Sequence, residues 1–87
     1  MTFKKWQKQF YGELLSRTGL EPNDSFDESQ LKQFHKEGMT PEEVVDLQIE
    51  KHYLTDLRSE AYETDTYNRF RKQALERYGY APPARSY

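Results

Sequence analysis

The amino-acid sequence predicts an all-α protein: a small bundle of about four helices joined by short turns and followed by an extended C-terminal tail. Three observations predict it. Apolar residues recur at helical spacing along Phe3, Trp6, Phe10 and Leu14, and again along Tyr67, Phe70, Ala74 and Tyr78. Gly19, Gly38 and Gly79 each stand just past such a stretch, where a left-handed helix terminator belongs. Thr2, Asp27, Thr40 and Thr64 or Asp65 each stand just before one, where a side-chain oxygen can cap the first turn.

The first helix is predicted from Phe3 to Thr18, with Tyr11 and Leu15 widening its apolar face and Leu20 closing onto Leu15 beyond Gly19. Glu21-Pro22-Asn23-Asp24 reads as a turn, because proline presets one backbone angle and Asn and Asp bond their local backbone. The second helix follows Asp27, with Gln30 completing a capping box and Phe26 stapling onto Leu31. It rests on Leu31 and Phe34 and stops at Gly38, where Met39 can reach back to Phe34 in a Schellman ending.

The stretch from Phe34 to Leu47 is expected to organise the fold, since one short segment ends a helix and starts the next. Thr40 as N-cap, Pro41 at the first helical position and Glu43 three residues on form a capping box, and Met39 can staple onto Val44. The third helix should bury Val44, Val45, Leu47 and Ile49. Its end is open: residues 48–64 hold neither Gly nor Pro, so it stops near His52 or continues to about Thr64. It does not run on as one rod, because the spacing of Leu54, Leu57 and Ala61 leads to Thr64, Asn68 and Arg71 and not to Tyr67 and Phe70. A fourth helix therefore starts near Thr64 and closes at Gly79, with Tyr80 reaching back to Leu75. Trp6, Phe10, Leu14, Phe34, Val44, Leu47, Phe70 and Leu75 are the expected core. Residues 1–80 form one domain, and Pro82 and Pro83 make residues 81–87 an extended tail.

The 87 residues carry no cysteine, which excludes disulfides, thiol nucleophiles and cysteine-bound zinc and fits a cytoplasmic setting. No stretch has the apolar length of a signal peptide or a membrane span. Net charge is −2, unevenly spread: residues 1–19 sum to +3, residues 20–64 to −8 and residues 65–87 to +3. Oppositely charged segments packing side by side account for this pattern without a binding role.

Chemistry is hard to find. His35 and His52 lack metal-ligand spacing and are expected on helix surfaces. None of Ser16, Ser25, Ser29, Ser59 and Ser86 sits in a nucleophile motif, and no glycine-rich phosphate loop exists. Glu42 and Glu43 are explained by the helix dipole and the capping box. The expectation is a non-enzymatic protein with no cofactor and no metal.

Gly38, Met39, Val44 and Leu47 resemble the helix-turn-helix of DNA-binding proteins, which implies a third helix that reads DNA. Phe34 departs from the small residue that motif wants, and Glu42, Glu43 and Asp46 would face phosphates. Gly38-Met39-Thr40 followed by Glu43 and Val44 also resembles the glycine loop and following helix of three-helix ubiquitin-associated modules, a likeness confined to this stretch.

The thirteen aromatic rings, seven of them Tyr, exceed what so small a core needs, and Tyr, Trp and Arg are the common anchors of interfaces. The leading expectation is a protein-interaction module, a regulator or inhibitor of a larger complex, contacting another protein through Tyr67, Arg71, Tyr78 and Tyr80. Tyr53, Tyr62 and Tyr87, with Tyr80, fit the core face least well and are further contact candidates. A second copy of the chain is the competing partner, because spare aromatics can complete a small core. The alternative is sequence-independent nucleic-acid binding through Lys4, Lys5, Lys8, Arg69 and Lys72.

Overall fold

A computed structural model describes residues 2–21, 27–58 and 64–83. It contains α1 (Phe3–Thr18), α2 (Glu28–Lys36), α3 (Pro41–His52) and α4 (Thr64–Tyr78), with no strand among the described residues. Among these residues no helix is long and apolar enough to cross a membrane. The predicted turn at Glu21-Pro22-Asn23-Asp24 and the Phe26 staple fall largely or wholly outside the described residues, as do Tyr62 and Tyr87.

The boundaries follow from the capping chemistry. Thr2 Oγ1 accepts from the Lys5 amide at 3.3 Å, and Gly19 closes α1 at φ 71°. At the α2–α3 corner the Gly38 amide donates to the His35 carbonyl at 3.1 Å and the Met39 amide to the Phe34 carbonyl at 3.2 Å, the bond pair of a Schellman ending. Two residues later the Thr40 capping box is complete in both directions: the Glu43 amide donates to Thr40 Oγ1 and the Thr40 amide to Glu43 Oε1, each at 3.2 Å. The box predicted at Gln30 is replaced by a shorter arrangement in which Asp27 Oδ1 accepts from the Ser29 amide at 2.9 Å. The end of α3 is now settled at His52, and the residue that turns the chain there is not glycine but Tyr53, at φ 54°.

The organising element is α1 and not the α2–α3 corner. The substantial helix packing is that of α2, α3 and α4 each against α1. Covered all round in its second half, α1 buries an unbroken run from Gly12 to Arg17, including Glu13, Ser16 and Arg17. Helix α4 lies antiparallel to it: Phe70 packs beside Gly19 at one end, and the Tyr11 and Tyr78 rings meet at 5.6 Å at the other. Trp6 stacks on Phe10 at 5.9 Å and donates its indole N–H to the Met39 carbonyl at 2.8 Å, fastening the α2–α3 corner to α1. Leu14, Leu31, Val44 and Val45 complete that core, with Phe34, Met39 and Ile49 against its edge.

Two expected core residues lie outside it. Leu47 is 39% exposed and Leu75 is 49% exposed. On α3 the buried stripe is Pro41, Val44, Val45 and Gln48, which leaves Leu47 one position off the face. On α4 Tyr67 and Ala74 are fully buried, and Leu75 is rotated away in the same manner. Leu20 is 48% exposed, and the Phe70 ring and Leu57 lie beside Gly19. His35 is not a plain surface residue, because its half-buried ring lies 5.8 Å from both Phe3 and Trp6.

Candidate functional site

Three places in the fold hold side chains whose arrangement exceeds what packing requires: a buried charge cluster on α1, a C-terminal strap across α1 and α4, and the outer face of α3.

The cluster centres on Arg17, only 2% exposed. Its Nη2 lies 2.5 Å from Asp46 Oδ1 on α3 and donates to Asp56 Oδ2 at 2.9 Å, while Nη1 is 3.6 Å from Glu13 Oε1 one turn back on α1. The segment after α3 is drawn onto the same spot, since the Leu57 amide donates to the Arg17 carbonyl at 2.6 Å and the Arg58 amide to Asp56 Oδ1 at 3.0 Å. Burial opposes the charge on Arg17, but the bonds to Asp56 and Asp46 outweigh it and hold the guanidinium charged. Burial likewise opposes the Asp56 charge, and the Arg17 bond overcomes it, lowering that carboxyl below its usual range. Glu13 goes the other way: burial raises its pKa, and the attraction of Arg17 only partly offsets this. Glu13 Oε1, Ser16 Oγ and Arg17 Nε and Nη1 make no hydrogen bond to the described residues.

These opposed shifts give a signed pH dependence. Glu13, raised above its unfolded value, contributes stability that is complete below the unfolded pKa and lost as pH rises through the folded one. Asp56, lowered, contributes stability present above its unfolded pKa and lost as pH falls through the folded one. Glu13→Gln keeps an acceptor for its neighbours and removes only the first effect. Urea unfolding should find it as stable as the parent or up to about 1 kcal/mol more so at pH 7, with the difference closing toward pH 4. A variant less stable than the parent at pH 7 would contradict this account.

The strap is the described part of the tail. Gly79 turns the chain at φ 71°, and Tyr80 crosses α1 so closely that a Cβ on Gly12 would stand 2.2 Å from the Tyr80 carbonyl oxygen. Tyr80 therefore does not fold back on Leu75; its hydroxyl reaches Glu13 Oε2 at 3.4 Å. Burial and the nearby Glu13 raise the Tyr80 pKa. Pro82 is fully buried, Arg71 Nε donates to its carbonyl at 2.6 Å, and the Tyr67 hydroxyl donates to the Pro83 carbonyl at 3.0 Å. The sequence reading missed Gly12, although a glycine inside a strongly periodic helix is a signal of close backbone approach.

Of the expected interaction anchors, Tyr67 and Arg71 bond the strap and Tyr80 belongs to it. Tyr67 is wholly buried and is struck from the list of contact residues. Arg71, Tyr78 and Tyr80 are half-buried and face the Pro82 carbonyl, the Tyr11 ring and Glu13 respectively. The basic residues Lys4, Lys5, Lys8, Arg69 and Lys72 are all exposed. The antiparallel packing separates them, with Lys4, Lys5 and Lys8 on the first turns of α1 and Arg69 and Lys72 beside its last. At 1.5 Å per residue that separation is roughly 15–20 Å. Among the described residues three pairs join the acidic middle of the chain to its basic ends: Arg17 with Asp46, Arg17 with Asp56, and Arg77 with Glu21.

On the outer face of α3, Glu43, Asp46, Leu47 and Glu50 are exposed, and Tyr53 at its end is 96% exposed. The Tyr53 and Leu54 amides both donate to the Ile49 carbonyl, the latter at 3.0 Å, so the helix ending itself holds Tyr53 in the left-handed region. Among the described residues no group of three or more metal-ligating side chains comes together. No family model, curated protein or solved structure matches this chain.

Proposed function

We propose that this chain is a non-enzymatic protein-interaction module of the cytoplasm, a regulator or inhibitor of a larger complex, that presents α3 and Tyr53 to a partner with a basic surface. The observation that carries this reading is Tyr53. A tyrosine at φ 54° sits in a conformation costing an L-residue about 1–2 kcal/mol, where glycine would be at ease. Its ring, 96% exposed, gains almost nothing from the fold in return. Strain kept without a packing reward is a mark of functional positions. Around it, the exposed Leu47 is flanked about one turn either way by the exposed Glu43 and Glu50, with Lys51 beside Glu50, while Asp46 is paired to Arg17.

Tyr53→Gly separates binding from folding. It should raise stability by about 1 kcal/mol, or about 4–8 °C in Tm, because the strain goes and little contact is lost. Affinity capture from source cells should retain at least one protein with the parent chain and lose it with Tyr53→Gly and with Leu47→Ser. A set of retained proteins identical for all three chains would refute the reading.

Nucleic-acid binding is the second reading, supported by the exposure of Lys4, Lys5, Lys8, Arg69 and Lys72. It requires affinity for duplex or single strands that weakens steeply as salt rises, because phosphate contacts release counterions.

A further inference from the structure

The strap is recognised as a ligand would be. Among the described residues, the hydrogen bonds that hold Tyr80 to Pro83 are made with side chains of α1 and α4. Arg71 Nε and the Tyr67 hydroxyl are donors, and they meet the carbonyls of two successive prolines, residues that carry acceptors but no amide hydrogen. The single acceptor, Glu13 Oε2, meets the single side-chain donor of the segment, the Tyr80 hydroxyl. Gly12 supplies a floor bare enough for the Tyr80 backbone, and Pro82 fills the interior. This recognition is indifferent to where the segment is attached.

The attachment is one residue. Gly79 has φ 71°, and a Cβ placed on it would meet nothing within 4 Å. A change of backbone angle there redirects the strap without altering the groove. We infer that the α1–α4 groove also docks the Tyr80–Pro83 segment of a second copy of this chain, two copies exchanging their C-terminal segments across Gly79. Because both arrangements satisfy the same donors, the balance between them is set by the conformation of residue 79 and by protein concentration.

Gly79→Val in the full chain tests this, since valine resists the left-handed angle while its side chain touches nothing. Light scattering over a concentration series should show dimerisation strengthened about a hundredfold, tenfold for each of the two hinges. Adding Arg71→Ala or Gly12→Val, which disable the groove, should return the chain to monomer. A Gly79→Val chain that stays monomeric at millimolar concentration overturns the inference, and so does a dimer that survives both groove substitutions. Should Gly79→Val not fold, the wild-type backbone decides: two populations labelled at an introduced Lys4→Cys are mixed at millimolar concentration. Energy transfer that a synthetic peptide of residues 80–87 competes away supports exchange, and no transfer, or transfer the peptide leaves untouched, refutes it.

Discussion

Arg17→Ala is expected to cost about 3–5 kcal/mol, a large part of the roughly 5–15 kcal/mol that a small domain has in total. The guanidinium is the cation in direct contact with Glu13, Asp46 and Asp56 among the described residues. Removing it strands Glu13, itself 1% exposed, without the charge that offsets its burial. It also removes the side-chain tie to α1 of the segment after α3, whose Asp56 is bonded to the same Nη2, and leaves the Leu57 amide bond to the carbonyl of residue 17. Urea unfolding should show a lower midpoint at unchanged slope, the sign of lost stability without a change in what unfolds. Arg17→Lys should fall between, because an ammonium keeps the charge but is a single point, and cannot face Glu13 from one nitrogen and Asp46 and Asp56 from another as Nη1 and Nη2 do. Adding Glu13→Gln to Arg17→Ala should recover part of the loss, since the stranded charge is then gone. A loss below about 1 kcal/mol for Arg17→Ala would mean that the cluster is held by packing alone.

The local rules that predict helix ends succeeded where the chain obeys them. Thr2, Gly19, Gly38, Thr40 and Gly79 act as read, because each satisfies or terminates backbone bonds using atoms only a few residues away. Failures lie where a distant element decides. Glu13 and Arg17 look like solvated charges when α1 is considered alone, and nothing nearby in sequence announces that α3, the segment after it and the strap close over them. Leu47 and Leu75 were assigned to the core for being leucines beside the right stripe, whereas Gln48 and Ala74 occupy it. Tyr53 departs from the expectation that glycine ends helices, since it turns the chain at φ 54° itself. Of the contact surface expected on α4 and the tail, burial removes Tyr67, whose hydroxyl bonds the tail, and leaves Arg71, Tyr78 and Tyr80 half-exposed.

Gly12→Val is expected to release the strap and to cost about 2–4 kcal/mol. The steric argument is direct: a Cβ at residue 12 would stand 2.2 Å from the Tyr80 carbonyl oxygen and 3.0 Å from its carbonyl carbon, which are backbone atoms that cannot swing aside as a side chain tip would. Either α1 shifts within its enclosure or the strap lifts, and lifting disturbs fewer contacts. The losses are then the hydrogen bonds from Arg71 and Tyr67, about 1 kcal/mol each, and the burial of Pro82, about 1 kcal/mol more. Relief comes from placing a better helix former than glycine in mid-helix, worth a few tenths of a kcal/mol. Helix content should be nearly unchanged, since Gly12 plays no part in capping. Limited proteolysis should now cut after residue 79, where the parent resists, and the Trp6 environment, at the opposite end of the packed core, should be undisturbed. Gly12→Ala should show the same cleavage, because the clash begins at the first carbon. A Gly12→Val chain as stable and as protease-resistant as the parent would show that the strap does not rest on α1.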